Sequence, residues 1–321
     1  MKRIFITIFV IAVLFSSGIA LYASSDGGGG AAAYLNMGIG ARPLALGGAY
    51  TAMAEGASAT YYNPAALGFI NSKEFETMHA VLTLDRNLDY FSYAQPINRN
   101  KFKGGLSFGW IRYGVDGIPE TRVYKVGDVI PAGQAVGDPI LDLSGNVKVF
   151  SYFEDVENAY TLAYGTKFKK KVFLGFALNY YTHDLFNNSA DGFGIDLGVL
   201  WKANKRSNIG LTVKHIGGEL EWDTSTSRKD NIPVSTTLGA SYKVRENITT
   251  TVDLEKTGDE NLRTHIGVEG YVNSNLALRA GLDKDNITLG IGFKSNDWVF
   301  DYAYADKDLG DVHRVSAGRK F

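Results

Sequence analysis

The chain has 321 residues, a formal net charge of −1 and no cysteine, and its mean hydropathy is −0.09. A charge balance this even argues against a nucleic-acid partner and against a polybasic membrane-surface protein. The absence of cysteine excludes a disulfide scaffold, cysteine nucleophiles and thiolate metal sites. Neutral hydropathy does not exclude a membrane barrel, because strands that alternate lipid-facing and lumen-facing residues average the signal away.

In chain order, Met1-Lys2-Arg3 carries positive charge and Ile4 to Phe15 is apolar apart from Thr7. Small residues follow at Gly18-Ile19-Ala20 and Ala23-Ser24-Ser25. This order reads as a secretory signal peptide over 1–23, cleaved between Ala20 and Ser25. An uncleaved anchor fits less well, because the apolar core is short for a membrane span. Residues 24–72 then read as a glycine-rich leader (Gly27 to Gly30) and a compact module of small residues. Gly40 to Pro43, the Gly47-Gly48 pair and Asn63-Pro64-Ala65 mark its turns. Its glycines and Pro43 forbid a long helix.

From about Glu74 the period changes to two, and residues 73–321 read as strands. Ile287, Leu289, Ile291 and Phe293 interleave with Thr288, Gly290, Gly292 and Lys294. The same alternation recurs at Trp298 to Tyr304, Phe193 to Trp201, Val172 to Tyr180 and Leu276 to Leu282. Tight polar turns are expected near 98–100, 169–171, 204–206, 245–246, 273–275 and 295–297. Longer connections are expected at 114–155, 184–191, 217–232, 256–260 and 306–310, with two short ones near Arg86 and Lys284. The fold class is therefore all-β, a transmembrane antiparallel β-barrel of about 14 strands with a small N-terminal plug. Trp201, Tyr242 and Phe293 at the turn ends, and Tyr160, Tyr180 and Tyr304 toward the loop ends, suit two interfacial girdles. A soluble β-sandwich also explains alternation. It explains less well a polar face rich in Gly, Ser, Thr and charge over so many strands, or a last strand ending on Phe321. Val315 and Ala317 share the face of Phe321, but so does Arg319, where a barrel terminus would carry an apolar residue.

The block Met37-Gly38-Ile39-Gly40-Ala41-Arg42-Pro43-Leu44-Ala45-Leu46-Gly47-Gly48-Ala49-Tyr50, with Ala59 to Leu67 around Asn63-Pro64-Ala65, resembles the N-terminal signature of the PorV/PorQ family. That family is a shorter branch of the FadL-like outer-membrane proteins. The resemblance implies a bacterial outer-membrane location, a hatch inside a barrel, and a sideways opening in the barrel wall. It also implies one of two roles: passive transport of hydrophobic small molecules, or an accessory of protein secretion that docks cargo or envelope partners. The chain is too short for the outer elaborations of a typical fatty-acid FadL. Tight turns and small residues fit the hatch physically, since a plug must pack inside a lumen without swelling it.

Catalysis has little support. The histidines at 79, 183, 215, 265 and 313 are scattered, with no metal-ligand spacing and no nucleophile motif beside them. No cofactor or metal is expected; the expected partners are outer-membrane lipid, a hydrophobic ligand and secreted or envelope proteins. The expected lumen charges are Asp196, Asp253, Arg263, His265, Glu269, Arg279 and Asp301. Asp253 is expected opposite Arg263, Thr251 opposite His265, and Glu269 beside Arg279, as pairs neutralising a polar lumen. Such charges could instead form a constriction or hold the plug, with Arg42 and Glu55 as partners. Gly104, Gly105 and Gly109 mark the third strand as a place for a lateral opening or for plug contact. The 114–155 and 217–232 connections, the latter carrying Trp222, offer the surface for an outside partner.

Overall fold

The computed structural model describes residues 30–83, 85–99, 102–307 and 310–321. The expected signal peptide and residues 24–29 of the leader lie outside the described residues. Fourteen strands form one closed antiparallel ring. They are β1 (Glu74–Leu82), β2 (Arg86–Arg99), β3 (Phe102–Thr121), β4 (Val149–Lys169), β5 (Val172–Leu185), β6 (Asn188–Lys202) and β7 (Ser207–Ile216). After a hairpin of β8 (Glu219–Trp222) and β9 (Lys229–Asn231) come β10 (Ser235–Arg245), β11 (Ile248–Thr257), β12 (Arg263–Tyr271) and β13 (Leu276–Asp283). The ring is completed by β14 (Asn286–Ser295), β15 (Trp298–Ala305) and β16 (Val312–Lys320). Each strand pairs with its sequence neighbour, except that β7 pairs with β10 across the hairpin, and β1 pairs with β16 to close the ring. Closure leaves the fourteen-stranded ring without a free edge, which a bilayer without water demands.

The alternation sets the two faces. Ile287, Leu289, Ile291 and Phe293 are all exposed on the outside of β14, while Thr288 between them is fully buried. Phe193, Ile195, Leu197 and Val199 do the same on β6. Apolar outside and polar inside is the inverse of a soluble barrel and defines a transmembrane β-barrel.

Several connections differ from the sequence expectation. Residues 114–121 and 149–155 are strand, because β3 and β4 continue as a hairpin beyond the ring and pair as far as Thr121 and Val149, which shortens the long connection to 122–148. Within 184–191 the connection is a two-residue turn at 186–187 between β5 and β6, with Phe186 at φ 55°. Residues 217–232 contain the β8–β9 hairpin, which folds Leu220 and Ile232 into the mouth of the lumen, 2% and 4% exposed.

Residues 30–72 fill the lumen. Short helical turns at Ala33–Asn36, Ala41–Ala45, Ala59–Tyr62 and Pro64–Phe69 are joined by tight turns, with Gly40 at φ 76° and Gly47 and Gly48 at 66° and 88°. The described chain starts at the loop side, where Gly30 lies against Pro233. Its last helical turn lies near the turn-side ends of β4 and β5, where Gly68 abuts Thr166 and Phe173.

The wall receives the plug through glycine. Gly105, Gly165, Gly175 and Gly198 are direct cross-strand partners on β3, β4, β5 and β6. A Cβ on any of them would collide with the plug at Asn63, Pro64, Leu67 or Ile70. Gly267 and Gly281 form a second such pair, against Leu46 and Gly47. Missing side chains on the wall let two backbones approach, at a cost in strand propensity.

Candidate functional site: the plug and the lumen

Charge fastens the plug on the side of β11 to β16. Arg42 donates to Glu269 through Nε at 2.8 Å and Nη2 at 2.9 Å, a bidentate pair, and also contacts Glu55 and the Tyr50 hydroxyl. Arg279 joins the same Glu269 at 2.7 Å and reaches Asp301 at 2.7 Å. Glu269 and Arg279 are cross-strand partners, as expected. Burial acts to raise the Glu55 carboxyl, but the Arg42 guanidinium outweighs it and holds that group below its ordinary value. A cavity of about 200 Å³ opens here on the turn side of the plug, lined by Arg42, Glu55, Glu76, Arg279 and Asp301 among others.

The β11–β12 register corrects the expected pairs. Asp253 faces His265, Glu255 faces Arg263, and Thr251 faces Gly267. β11 runs on to Thr257, so the turn sits further along the chain than residues 256–260, and every partner moves by two. Each side chain stays on its expected face because the slip is even. In this register Asp253 accepts the backbone amides of Tyr50 and Thr51. His265 Nδ1 donates to the Gly47 carbonyl at 2.7 Å, and its Nε2 lies 3.1 Å from Glu255. Arg263 pairs with Asp283 at 3.2 Å. Asp196 accepts the His215 amide at 2.8 Å, within the wall.

Asn63 ties three pieces together. Its side chain accepts from Ala65 N–H at 3.1 Å and donates to the carbonyls of Thr51, 3.1 Å, and Val199, 3.2 Å. As expected of a residue before proline, it is extended, at φ −161°. Pro64 and Ala65 then begin a helical turn that separates Asn63 from β1.

Other lumen groups escaped the sequence reading. Arg314 donates to the carbonyls of Gly38 and Met37 at 2.8 and 2.7 Å, and Ser316 accepts the Ala41 amide at 2.7 Å. Thr288 accepts from Gly47 N–H at 3.0 Å. All three lie on the polar face of their strands, which was the available signal. A bulge on β7 turns Lys214 and His215 both inward, with His215 at φ 61° and the Lys214 ammonium 3.8 Å over the Tyr61 ring. Nothing in local sequence marks that bulge.

Gly104, Gly105 and Gly109 do not border a gap. The ladder of β3 with β2 is continuous from Val115 to Phe102, and that with β4 from Gly105 to Val115. Gly105 and Gly109 face the plug at Leu67 and Thr60, and Gly104, at φ 153°, admits the Gly165 carbonyl.

Toward the loop side the lumen becomes apolar and aromatic. Leu82, Leu88, Ile111, Tyr113, Tyr181 and Leu220 are buried there around Tyr34 and Leu35 of the plug. Tyr34 stacks on Tyr113 with ring centroids 6.0 Å apart. Burial, followed by the nearby Glu157 carboxylate, pushes the Tyr34 phenol well above its ordinary pKa, and its hydroxyl has no hydrogen-bond partner among the described residues.

The chain matches no protein-family model and no curated protein. Solved structures with the same fold include the P. putida toluene transporter TodX, at a TM-score of 0.59 and 14% identity over 88% of this chain and 99% of that one. The Ralstonia pickettii toluene transporter TbuX aligns at 0.57 and 12%, over 88% and 98%. A Pseudomonas aeruginosa FadL homologue aligns at 0.52 and 13%, over 86% and 98%. The fold is thus a FadL-like outer-membrane β-barrel, a class in which strands cross the membrane.

Proposed function

We propose that the chain is a passive conduit for hydrophobic small molecules across the outer membrane. The observation that carries this reading is the apolar, aromatic upper lumen held by Tyr34 and Leu35. Withdrawing Tyr34 breaks no hydrogen bond of its hydroxyl, and it uncovers a site of the apolar kind that small-molecule pockets favour. The toluene-transporting proteins of the same fold support a monoaromatic hydrocarbon as the class to test first. The proposal includes the division into a cleaved leader, a plug and a barrel, and takes the chain as a transporter and not an enzyme. A sideways exit beside β3 requires its ladders to part; bulky residues at Gly104 and Gly105 that leave transport intact would rule that route out.

The test combines native mass spectrometry of the detergent-purified protein with hydrocarbon uptake by an expressing Gram-negative host. Bound apolar ligand and saturable uptake, enhanced in Tyr34→Ala, are expected. Neither ligand nor uptake, with an envelope protein retained in stoichiometric amount, would favour the PorV-like docking role that the 37–67 block implies by resemblance.

A further inference from the structure

We propose that Asp155, Glu157 and His183 form a binding site for a divalent transition-metal ion at the loop-side rim of the barrel. Asp155 and Glu157 stand two residues apart on β4, and so share its lumen face. His183 on β5 is the direct cross-strand partner of Glu157. One ligand atom from each of the three lies within 4.8 Å of the others. His183 Nε2 is 2.7 Å from Asp155 Oδ1, and its Nδ1 is 4.0 Å from Glu157 Oε2.

A histidine–aspartate pair would account for the first contact and leave Glu157 unexplained. Glu157 is 8% exposed, and the Oε2 that faces the imidazole has no hydrogen-bond partner among the described residues. A carboxylate oxygen withdrawn from water without a partner is costly, and an electropositive ligand removes that cost. The neighbourhood is also built to hold the ring: Trp222 of the β8–β9 hairpin packs on His183 with centroids 4.9 Å apart. Tyr113, the β3 partner of Glu157, brings Tyr34 with its unpartnered hydroxyl to the same patch.

Two carboxylates and one imidazole, with no sulfur, suit zinc or a neighbouring first-row divalent ion, and three protein ligands leave a position for water. Calcium and magnesium prefer oxygen ligands throughout. The site is hidden in sequence because its ligands lie on two strands joined by a long excursion along β4 and β5. Only the barrel register makes them neighbours.

The experiment uses the full folded chain in detergent, stripped with a chelator and titrated with Co²⁺, with Zn²⁺ as competitor. The expected result is saturable binding of one equivalent with a cobalt ligand-field spectrum displaced by zinc. Glu157→Gln, which keeps the side-chain volume, and His183→Ala should each weaken it about tenfold or more, with heat-modifiable gel mobility reporting an intact barrel. No saturable spectrum in the unsubstituted protein, or the same affinity in both folded variants, would overturn the proposal.

Discussion

Asp253 on β11 accepts the backbone amides of two consecutive plug residues, Tyr50 at 3.0 Å and Thr51 at 2.8 Å. One wall carboxylate thus holds plug backbone directly, whatever side chains the plug carries there. Hydrogen bonds to an ionised acceptor contribute about 1.5–3 kcal/mol each. Asp253→Ala should therefore release this part of the plug while the barrel stays folded, and Asp253→Asn, which keeps an acceptor oxygen, should release it less. Hydrogen exchange at Tyr50 and Thr51 reads the difference; unchanged protection in the alanine variant would remove Asp253 as an anchor.

The Arg42 contact predicts graded effects. Arg42→Ala leaves Glu269 paired with Arg279 and deprives only the half-exposed Glu55 of its partner, so the loss should stay near 1–3 kcal/mol. Arg279→Ala should cost more, because Asp301 loses its ion-pair partner as well. Plug mobility should rise in both, measured as ion conductance in planar bilayers. If replacing Arg42 and Glu55 together changes neither protease protection of the plug nor conductance, these charges do not hold it.

Acid should weaken the same contact in a defined direction. The folded pKa of Glu55 is lowered, so its contribution is present above the unfolded carboxylate range and is lost as pH falls through the folded value. Conductance of the wild type should rise on acidification through the carboxylate range, and the rise should be smaller in Glu55→Gln. An identical profile in the variant would assign the acid response elsewhere.

Glycines in the wall divide into those that meet the plug and those that do not. Gly281→Val should displace the plug at Leu46 and Gly47, where even a Cβ collides with backbone. Gly270→Val, where nothing lies within 4 Å of the added carbon, is the control and should leave plug and barrel unchanged. Limited proteolysis of the plug separates the two, and equal protection in both would contradict the contact.

The departure from an apolar terminus at Arg319 has a structural reason. Its guanidinium lies 5.3 Å from the Trp298 ring centroid and 4.9 Å from that of Phe321, beside the Phe75–Trp298 contact. Phe321 N–H donates to the Lys73 carbonyl at 2.8 Å. Cation–π contacts at exposed sites contribute about 0.5–1 kcal/mol each. Arg319→Ala should lower the urea midpoint of the folded barrel modestly, and deletion of Phe321 should do so further by also removing the Lys73 bond. Equal midpoints for wild type and both variants would deny the terminus a role in closure.

The barrel itself was legible in the alternation. Ile287 to Phe293 and Phe193 to Val199 declare an apolar face without any knowledge of neighbours, because strand side chains alternate by covalent geometry alone. The small residues of 37–67 declared a tightly packed module, and the extended conformation of Asn63 followed from Pro64. Glu269 beside Arg279 was also readable, because one tight turn fixes their register.

What joins distant segments was decided by the closed ring. The β11–β12 pairing shifted by two because its turn lies beyond where charge and polarity placed it, so Asp253 anchors plug amides, Glu255 stands opposite Arg263 but contacts His265, and Arg263 pairs with Asp283. The β7 bulge, the glycine row facing Asn63 to Ile70, and the meeting of Asp155, Glu157 and His183 depend on contacts between residues far apart in the chain. Such contacts arise from ring closure around the plug, and a local pattern fixes which face a residue shows without fixing what it meets.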